Sequence, residues 1–249
     1  MTEPSARPAA IVTGGGTGIG RATALALHRD GFAVALAGRR PEPLAETRDA
    51  IGAADCLIHP GDIREPEVQE SLVEACLREF GRIDVLVNNA GGQFVAPAEE
   101  ITPNGWRAVR RLNLDAPWFL TQKVAKRWMI SNGGGRVISV VLCPRRGIEG
   151  MAHSSAARAG MGVLTQTLAL EWGRHNIGLV CVAPGWIDTE GTAQYGYDMQ
   201  EVAQRVPMKR LGTAEEVGDL IAFLASPRAS YITGTTIVID GGVEVTTAG

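Results

Sequence analysis

Short apolar runs alternate along the chain with segments whose apolar residues recur every three to four positions. Residues 9–12, 32–37, 56–59, 83–87, 136–141, 178–182 and 236–239 are brief, apolar and β-rich, as strands are. Between them lie helical patterns. The clearest covers 65–80, with Val68, Leu72, Val73 and Cys76 on one face. Gly31 and Gly81 follow the last periodic residues of their helices, where a C-terminal cap belongs. Strands apolar on both faces that alternate with helices predict a parallel sheet covered on either side. With no repeat, low-complexity tract or linker, the pattern predicts one domain over 1–249. In open sheets of this kind ligands bind beyond the carboxyl ends of the strands. The residues just after each strand are therefore the ones to inspect.

Composition narrows the class. The chain has 249 residues, 45% hydrophobic and 20% charged, with a formal net charge of −3. Nothing there suits nucleic acid or an anionic membrane as partner. No apolar run approaches the roughly 18 residues of a membrane span. The polar start MTEPSARPAA lacks a signal-like apolar region. Cys56, Cys76, Cys143 and Cys181 lie far apart, which argues against a zinc site or disulfide framework and fits a reducing compartment. The expectation is a cytoplasmic protein with no metal.

Directly after the first strand comes Thr13-Gly14-Gly15-Gly16-Thr17-Gly18-Ile19-Gly20, opening a helix. Glycines admit a pyrophosphate close to the backbone, and the helix N-terminus offers free N–H groups and partial positive charge. The second strand ends Ala37-Gly38-Arg39-Arg40. An NAD site wants a carboxylate near here for the ribose diol, roughly 20 residues past the glycines. Two guanidiniums stand there instead, suited to a 2′-phosphate. The expected cofactor is NADP(H).

Further signals fall in register: Asn88-Asn89-Ala90-Gly91 after the fourth strand, Pro184-Gly185 after the sixth and Asp240-Gly241-Gly242 after the last. Together with the glycine loop, they make the whole chain resemble the classical short-chain dehydrogenases/reductases. The resemblance implies a single doubly wound α/β Rossmann domain with a seven-stranded parallel sheet and helices on both faces. It also implies a homotetramer or homodimer built on helices around 106–128 and 156–172, and a substrate lid over 191–210. By position, Gly14, Thr17, Gly18, Ile19 and Gly20 would hold the pyrophosphate, and Asp62 and Ile63 would line the adenine. Asn89, Ala90 and Gly91 would lie along the adenosine ribose; Pro184, Gly185, Ile187 and Thr189 would meet the nicotinamide. A narrower likeness, in Asn88–Phe94 (NNAGGQF), Gly105-Trp106, His153-Ser154, Ala156–Gly160 and Tyr195-Gly196, is to the peroxisomal trans-2-enoyl-CoA and 2,4-dienoyl-CoA reductases.

That family's usual catalytic set is an Asn, a Ser, a Tyr and a Lys. Asn113 matches the Asn. The fifth strand offers Val141 or Leu142 where the Ser belongs, and Ser139 is two or three residues early and points elsewhere by strand alternation. Aligning Ala159-Gly160 puts Arg158 at the Lys and Ser154 at the Tyr. Ketone reduction creates an alkoxide that needs a proton donor with a pKa near working pH. A serine hydroxyl is far too weak an acid, whereas a tyrosine starts near 10 and is lowered by an adjacent cation. Arg158 can still bond the nicotinamide ribose, but as a permanent cation it cannot shuttle protons.

Reduction of an enoyl thioester asks instead for donors to an enolate oxygen, an oxyanion-hole task. Ser154 is a candidate donor, Asn113 orders a water or the neighbouring helix, and Tyr195 is the replacement acid, with Tyr197 a weaker version. Tyr195 serves equally as a loop aromatic packed on substrate or a second subunit. His153 beside Ser154 lacks an orienting carboxylate, and a buried inert thiol is the default for Cys143. Arg145 and Arg146 read as solvated, or as partners of a CoA phosphate. The expected activity is NADPH-dependent reduction of a 2-enoyl thioester, CoA or carrier bound. The competing readings are a fold repurposed for a non-redox or atypical reaction, an NADPH-binding scaffold, and a carbonyl reductase whose acid is Tyr195.

Overall fold

The computed structural model describes residues 7–142, 147–193 and 196–245. Its elements run β1 (Ala9–Thr13), α1 (Gly18–Arg29), β2 (Ala33–Gly38), α2 (Pro41–Ile51), β3 (Cys56–Pro60), α3 (Pro66–Phe80), β4 (Val85–Asn88), α4 (Pro103–Arg110), α5 (Ala116–Arg127), β5 (Gly135–Val140) and α6 (Ala152–Trp172). The rest are β6 (Ile177–Pro184), β7 (Ile187–Asp188), α7 (Glu190–Ala193), α8 (Met199–Arg205), β8 (Gly212–Thr213), α9 (Ala214–Ala225) and β9 (Thr235–Ile239). All seven strands expected from the apolar runs form one sheet in the order β3-β2-β1-β4-β5-β6-β9, and every pairing is parallel. The order reverses between β1 and β4, which opens a crevice at their carboxyl ends.

Strand alternation sorts the side chains into two layers. Ala10, Val12, Val34, Leu36, Val85, Val87, Val180 and Val182 face α1 and α9, where Leu27, Val217, Ile221 and Leu224 complete one core. Ala9, Ile11, Leu86, Val137 and Leu179 face the other way, toward Leu72, Val73 and Phe80 of α3 and Leu120 and Val124 of α5. On that second face β2 presents only Ala33, Ala35 and Ala37. Small strand residues there leave room for the larger side chains of α3 at ordinary packing density.

Local signals set the ends of the elements. Gly81 caps α3 in the left-handed conformation, φ 73°, and its N–H bonds the Leu77 carbonyl. The Thr213 side chain accepts from the Glu216 N–H while Glu216 reaches back to Thr213, a capping box that starts α9. Two features were not legible in the pattern. The strands β7 and β8 are two residues each and pair only with one another. Residues 111–115, between α4 and α5, form one π-helical turn, a geometry that recurs at functional sites. No described helix is long and apolar enough to cross a membrane.

Candidate active site

Where the sheet order reverses, the carboxyl ends of β1, β2, β4, β5 and β6 open into one cleft of about 1120 Å³. The glycine loop forms its floor at the N-terminus of α1, with Gly14, Thr17, Gly18 and Ile19 on the wall. Gly20 lies behind them, buried, and a Cβ there would stand 2.0 Å from the Gly14 carbonyl oxygen. Only glycine lets the helix start this close to the strand end, and the Gly14 N–H ties the loop to the Ala37 carbonyl at 2.7 Å. A cradle of this shape fits the diphosphate of a dinucleotide.

The threonine of the loop ties two strands together. Thr13 Oγ1 accepts the N–H groups of Asn89 and Ala90, each at 3.0 Å. The Asn89 amide donates to the Thr13 carbonyl at 2.9 Å. Asn89, Ala90 and Gly91 are thereby held against the glycine loop, and all three line the cleft. At the adenosine end stand Arg39, Arg40, Asp62 and Ile63. Arg39 and Arg40 are exposed. Arg64 bonds both oxygens of Asp62, at 3.0 Å each through Nε, and holds its carboxyl below the usual carboxylate range, with the Arg39 charge adding to the effect. Asp62 is therefore committed to Arg64. Pro184, Gly185, Ile187 and Thr189 close the opposite wall.

Three of the four catalytic candidates, Asn113, Ser154 and Arg158, converge on the loop after β4. Asn113 is buried within the π turn, and its amide donates to the Gly92 carbonyl at 2.7 Å and to the Val109 carbonyl at 2.8 Å. In an α-helix the backbone N–H of residue 113 would take the Val109 carbonyl; the side chain competes for it and the helix widens. The Gly92 N–H returns to Asn113 Oδ1 at 3.3 Å. Asn113 thus orders its own helix and the loop that carries residues 91–93.

Arg158 lines the cleft, with Nη1 on the Val140 carbonyl at 2.9 Å and Nη2 on Gln93 Oε1 at 3.4 Å. Ser154 is fully buried, and its hydroxyl donates to the same Gln93 oxygen at 3.3 Å. Gln93 itself lines the cleft. Sequence reasoning passed over Gln93; its one signal was its place in the NNAGGQF run. Val141 and Leu142 also line the cleft. Ser139 is turned away from it and accepts from the Asn88 amide at 3.4 Å, as strand alternation predicts.

A Cβ on Gly91 would meet Arg158 Nη2 at 2.5 Å and Asn113 Oδ1 at 2.9 Å. The closer of the two is the far end of a long side chain that can swing aside, so Gly91→Ala should fold but displace the guanidinium. Its expected kcat/KM is about 10- to 100-fold below wild type, the usual consequence of an ångström of misplacement. A near-normal melting temperature alongside that loss would locate the defect in the site.

His153 is buried, stands edge-on to Phe94 with ring centroids 4.3 Å apart, and accepts the Ser154 N–H on Nδ1 at 2.8 Å. With Nδ1 an acceptor, the proton of the neutral ring is on Nε2. Burial pushes its pKa below the ordinary 6.5. The unfolded chain therefore binds this proton first as pH falls. The stabilising contribution is complete above about pH 6.5 and declines below it, by at most about 1.4 kcal/mol per pH unit. Denaturant unfolding between pH 7 and 5 should show a shallower pH dependence for His153→Phe than for wild type; equal slopes would refute the assignment.

Of the lid expected over 191–210, the end of α7 and all of α8 are described, and Arg205 on α8 reaches the cleft. Trp186 on the cleft wall meets Tyr197 edge-on, with centroids 5.3 Å apart. Arg210 pairs with Glu216 at 2.6 Å, which ties the segment after α8 to the first turn of α9 and holds that carboxyl down at about 2. Tyr195, Cys143, Arg145 and Arg146 lie outside the described residues.

Comparison with known proteins agrees with this geometry. Residues 14–244 match a family described as enoyl-(acyl carrier protein) reductase. The chain is 38% identical over 246 residues to a probable 2,4-dienoyl-CoA reductase, (2E)-enoyl-CoA-producing, of Bacillus subtilis (strain 168), covering 95% of this chain and 96% of that one. It is 33% identical to the peroxisomal 2,4-dienoyl-CoA reductase, (3E)-enoyl-CoA-producing, of Danio rerio, covering 96% and 82%. Among solved structures, a variant of actinorhodin polyketide ketoreductase with NADPH superposes with a TM-score of 0.91 at 29% identity, covering 96% of this chain and 97% of that one. With a sheet reversing over a glycine-floored cleft and likeness along nearly its full length, the chain belongs to the short-chain dehydrogenase/reductase family and is an oxidoreductase of that type.

Proposed function

We propose that the protein is an NADPH-dependent reductase of a carbon–carbon double bond conjugated to a thioester, a 2-enoyl or 2,4-dienoyl thioester on CoA or a carrier. One observation carries the reading: among the described residues, no tyrosine and no lysine lines the cleft. Position 154 holds a buried serine and position 158 an arginine. An alkoxide formed from a ketone would find no phenol among these residues, whereas an enolate needs only hydrogen bonds and positive charge. Likeness to 2,4-dienoyl-CoA reductases supports the substrate class.

When bound, NADPH supplies a hydride to the far carbon of the conjugated system, and the displaced π pair moves onto the thioester oxygen as an enolate. The glycine loop and the N-terminus of α1 hold the diphosphate through Gly14, Thr17, Gly18 and Ile19, with Gly20 setting their depth. Arg39 and Arg40 grip the 2′-phosphate. Arg158 bonds the nicotinamide ribose and sets a permanent positive charge beside the developing oxyanion. Asn113 keeps the 91–93 loop in place. Tyr195 is the proposed proton donor to carbon from the lid.

The deciding assay is NADPH oxidation with paired substrates of one chain length. Turnover of 2-enoyl- or 2,4-dienoyl-CoA at least about 100-fold faster than of 3-oxoacyl-CoA is expected, because only the ketone lacks its acid. Preference for the ketone, or for simple secondary alcohols with NADP⁺, would sink the reading. If Tyr195→Phe abolished ketone turnover, Tyr195 would be a carbonyl acid instead.

The protein is further proposed to work as a homotetramer or homodimer. Trp106 (40% exposed) on α4, Phe119 (51%) on α5, and Val163 (63%) and Leu170 (87%) on α6 leave large apolar side chains uncovered on these helices. Light scattering that returned a monomer would overturn this. The free, buried thiols of Cys56, Cys76 and Cys181 suit the cytoplasm as its compartment.

A further inference from the structure

We infer that Thr192 is a positioning residue that leaves the Thr189 hydroxyl able only to accept a hydrogen bond from the cofactor. The site then takes the amide –NH2 of a nicotinamide and disfavours a carbonyl at the same place. The inference rests on the dinucleotide site proposed above and not on the choice of substrate. Both threonines line the cleft, Thr189 just after β7 and Thr192 within α7. The Thr189 methyl packs on the glycine loop: a Cβ on Gly18, itself at φ 50°, would meet Thr189 Cγ2 at 3.3 Å. The Thr189 hydroxyl meets Thr192 Oγ1 at 2.8 Å.

Which of the two oxygens donates follows from counting hydrogens. The Thr192 hydroxyl has one hydrogen and lies 2.5 Å from the Ile187 carbonyl oxygen and 3.1 Å from that of Thr189. A carbonyl cannot donate, and two oxygens this close with no hydrogen between them repel, so the hydrogen sits on the Ile187 contact. On its remaining sides Thr192 Oγ1 can only accept. It takes the Thr189 N–H at 3.2 Å and the Thr189 hydroxyl hydrogen at 2.8 Å, which fills both lone pairs. Thr189 Oγ1 has thereby committed its only hydrogen. One of its lone pairs receives the Thr192 N–H at 3.3 Å; the other has no partner among the described residues and is left for a donor in the cleft. A hydroxyl that kept its hydrogen would bond either end of a carboxamide. With the hydrogen committed, a carbonyl oxygen placed there meets a lone pair, whereas –NH2 makes a hydrogen bond. Thr192 therefore decides which way round the carboxamide lies.

The test is calorimetric binding of NADP⁺ and of its acetylpyridine analogue, in which a methyl replaces the amide –NH2 and the carbonyl remains. Wild type should bind the analogue about 10- to 100-fold more weakly, because its remaining polar atom is an acceptor and the Thr189 lone pair goes unbonded. Thr192→Val frees the Thr189 hydrogen to turn onto the carbonyl and should bring the two affinities within about threefold of each other. Thr192→Ser keeps the hydroxyl and should keep the wild-type ratio. A purely structural role for Thr192 would weaken both compounds alike and leave the ratio in place. Thr189→Val should also level the affinities, by removing the acceptor. Equal affinities in wild type, or an unchanged ratio in a Thr192→Val protein that still binds NADP⁺, would overturn the inference. Should Thr192→Val bind neither compound, a wild-type ratio that Thr189→Val levels supports the inference, and one that it leaves unchanged overturns it. Absence of NADP⁺ binding by wild type would instead sink the proposed cofactor, and this inference with it. Failure of the double-bond reading alone leaves these outcomes untouched, since no step here requires turnover.

Discussion

Replacing Arg158 by alanine should lower kcat/KM for a 2,4-dienoyl or 2-enoyl thioester by about 150- to 25,000-fold. The guanidinium bonds the Val140 carbonyl at 2.9 Å and Gln93 Oε1 at 3.4 Å, and it lies on the cleft wall where the nicotinamide ribose is proposed to sit. A hydrogen bond to a charged group contributes about 1.5–3 kcal/mol. Loss of two such bonds is about 3–6 kcal/mol, and each 1.36 kcal/mol is a factor of ten. Arg158→Lys separates charge from geometry. Its ammonium keeps the positive charge but lacks the planar fork that spans two acceptors. NADPH affinity should therefore recover to within about tenfold of wild type while kcat stays below it, because one ammonium does not reproduce both contacts of the fork. Steady-state kinetics with NADPH binding by fluorescence checks both. An alanine variant within threefold of wild type in both would remove Arg158 from the mechanism.

Arg39→Asp should reverse the cofactor preference. A carboxylate there repels a 2′-phosphate and accepts the hydroxyls of an unphosphorylated ribose. The KM for NADPH should rise about 100- to 1000-fold, combining loss of a charge-assisted pair with repulsion, while that for NADH falls. Arg39→Ser should weaken NADPH without helping NADH. Since Arg39 is exposed, wild-type NADPH affinity should also drop between 0.05 and about 0.5 M salt as the Debye length shrinks. If NADPH and NADH were used equally by wild type, or if Arg39→Asp left the NADPH KM unchanged, the 2′-phosphate would have to be held elsewhere, with Arg40 the next residue to replace.

Legibility was uneven for a physical reason. The strands could be read because a parallel sheet buried on both faces demands near-continuous apolar runs, and all seven runs paired as expected. The glycine loop could be read because the close approach of Gly20 to Gly14 tolerates no side chain, a constraint that one residue type expresses. The strands β7 and β8, two residues each, carry too little pattern to announce themselves. The π turn at 111–115 arises from competition between the Asn113 side chain and the backbone for the Val109 carbonyl, which periodicity does not encode. The same holds for Ser154. Alignment placed it where a tyrosine would sit, and it gave no hint that the hydroxyl would be buried and turned onto Gln93.

Taken alone, the amino-acid sequence determined the parallel sheet covered by helices on both faces, the glycine-rich turn from β1 into α1, and the two arginines at the end of β2. Those properties follow from residue type and order, through burial and backbone sterics. Only the tertiary structure decided which polar groups meet. Gln93, Ser154 and Arg158 are separated by up to 65 positions yet share one oxygen atom, and Arg64 takes up the carboxylate of Asp62. A hydrogen bond requires two groups to arrive within a few tenths of an ångström and at the right angle, and packing between distant segments sets that geometry.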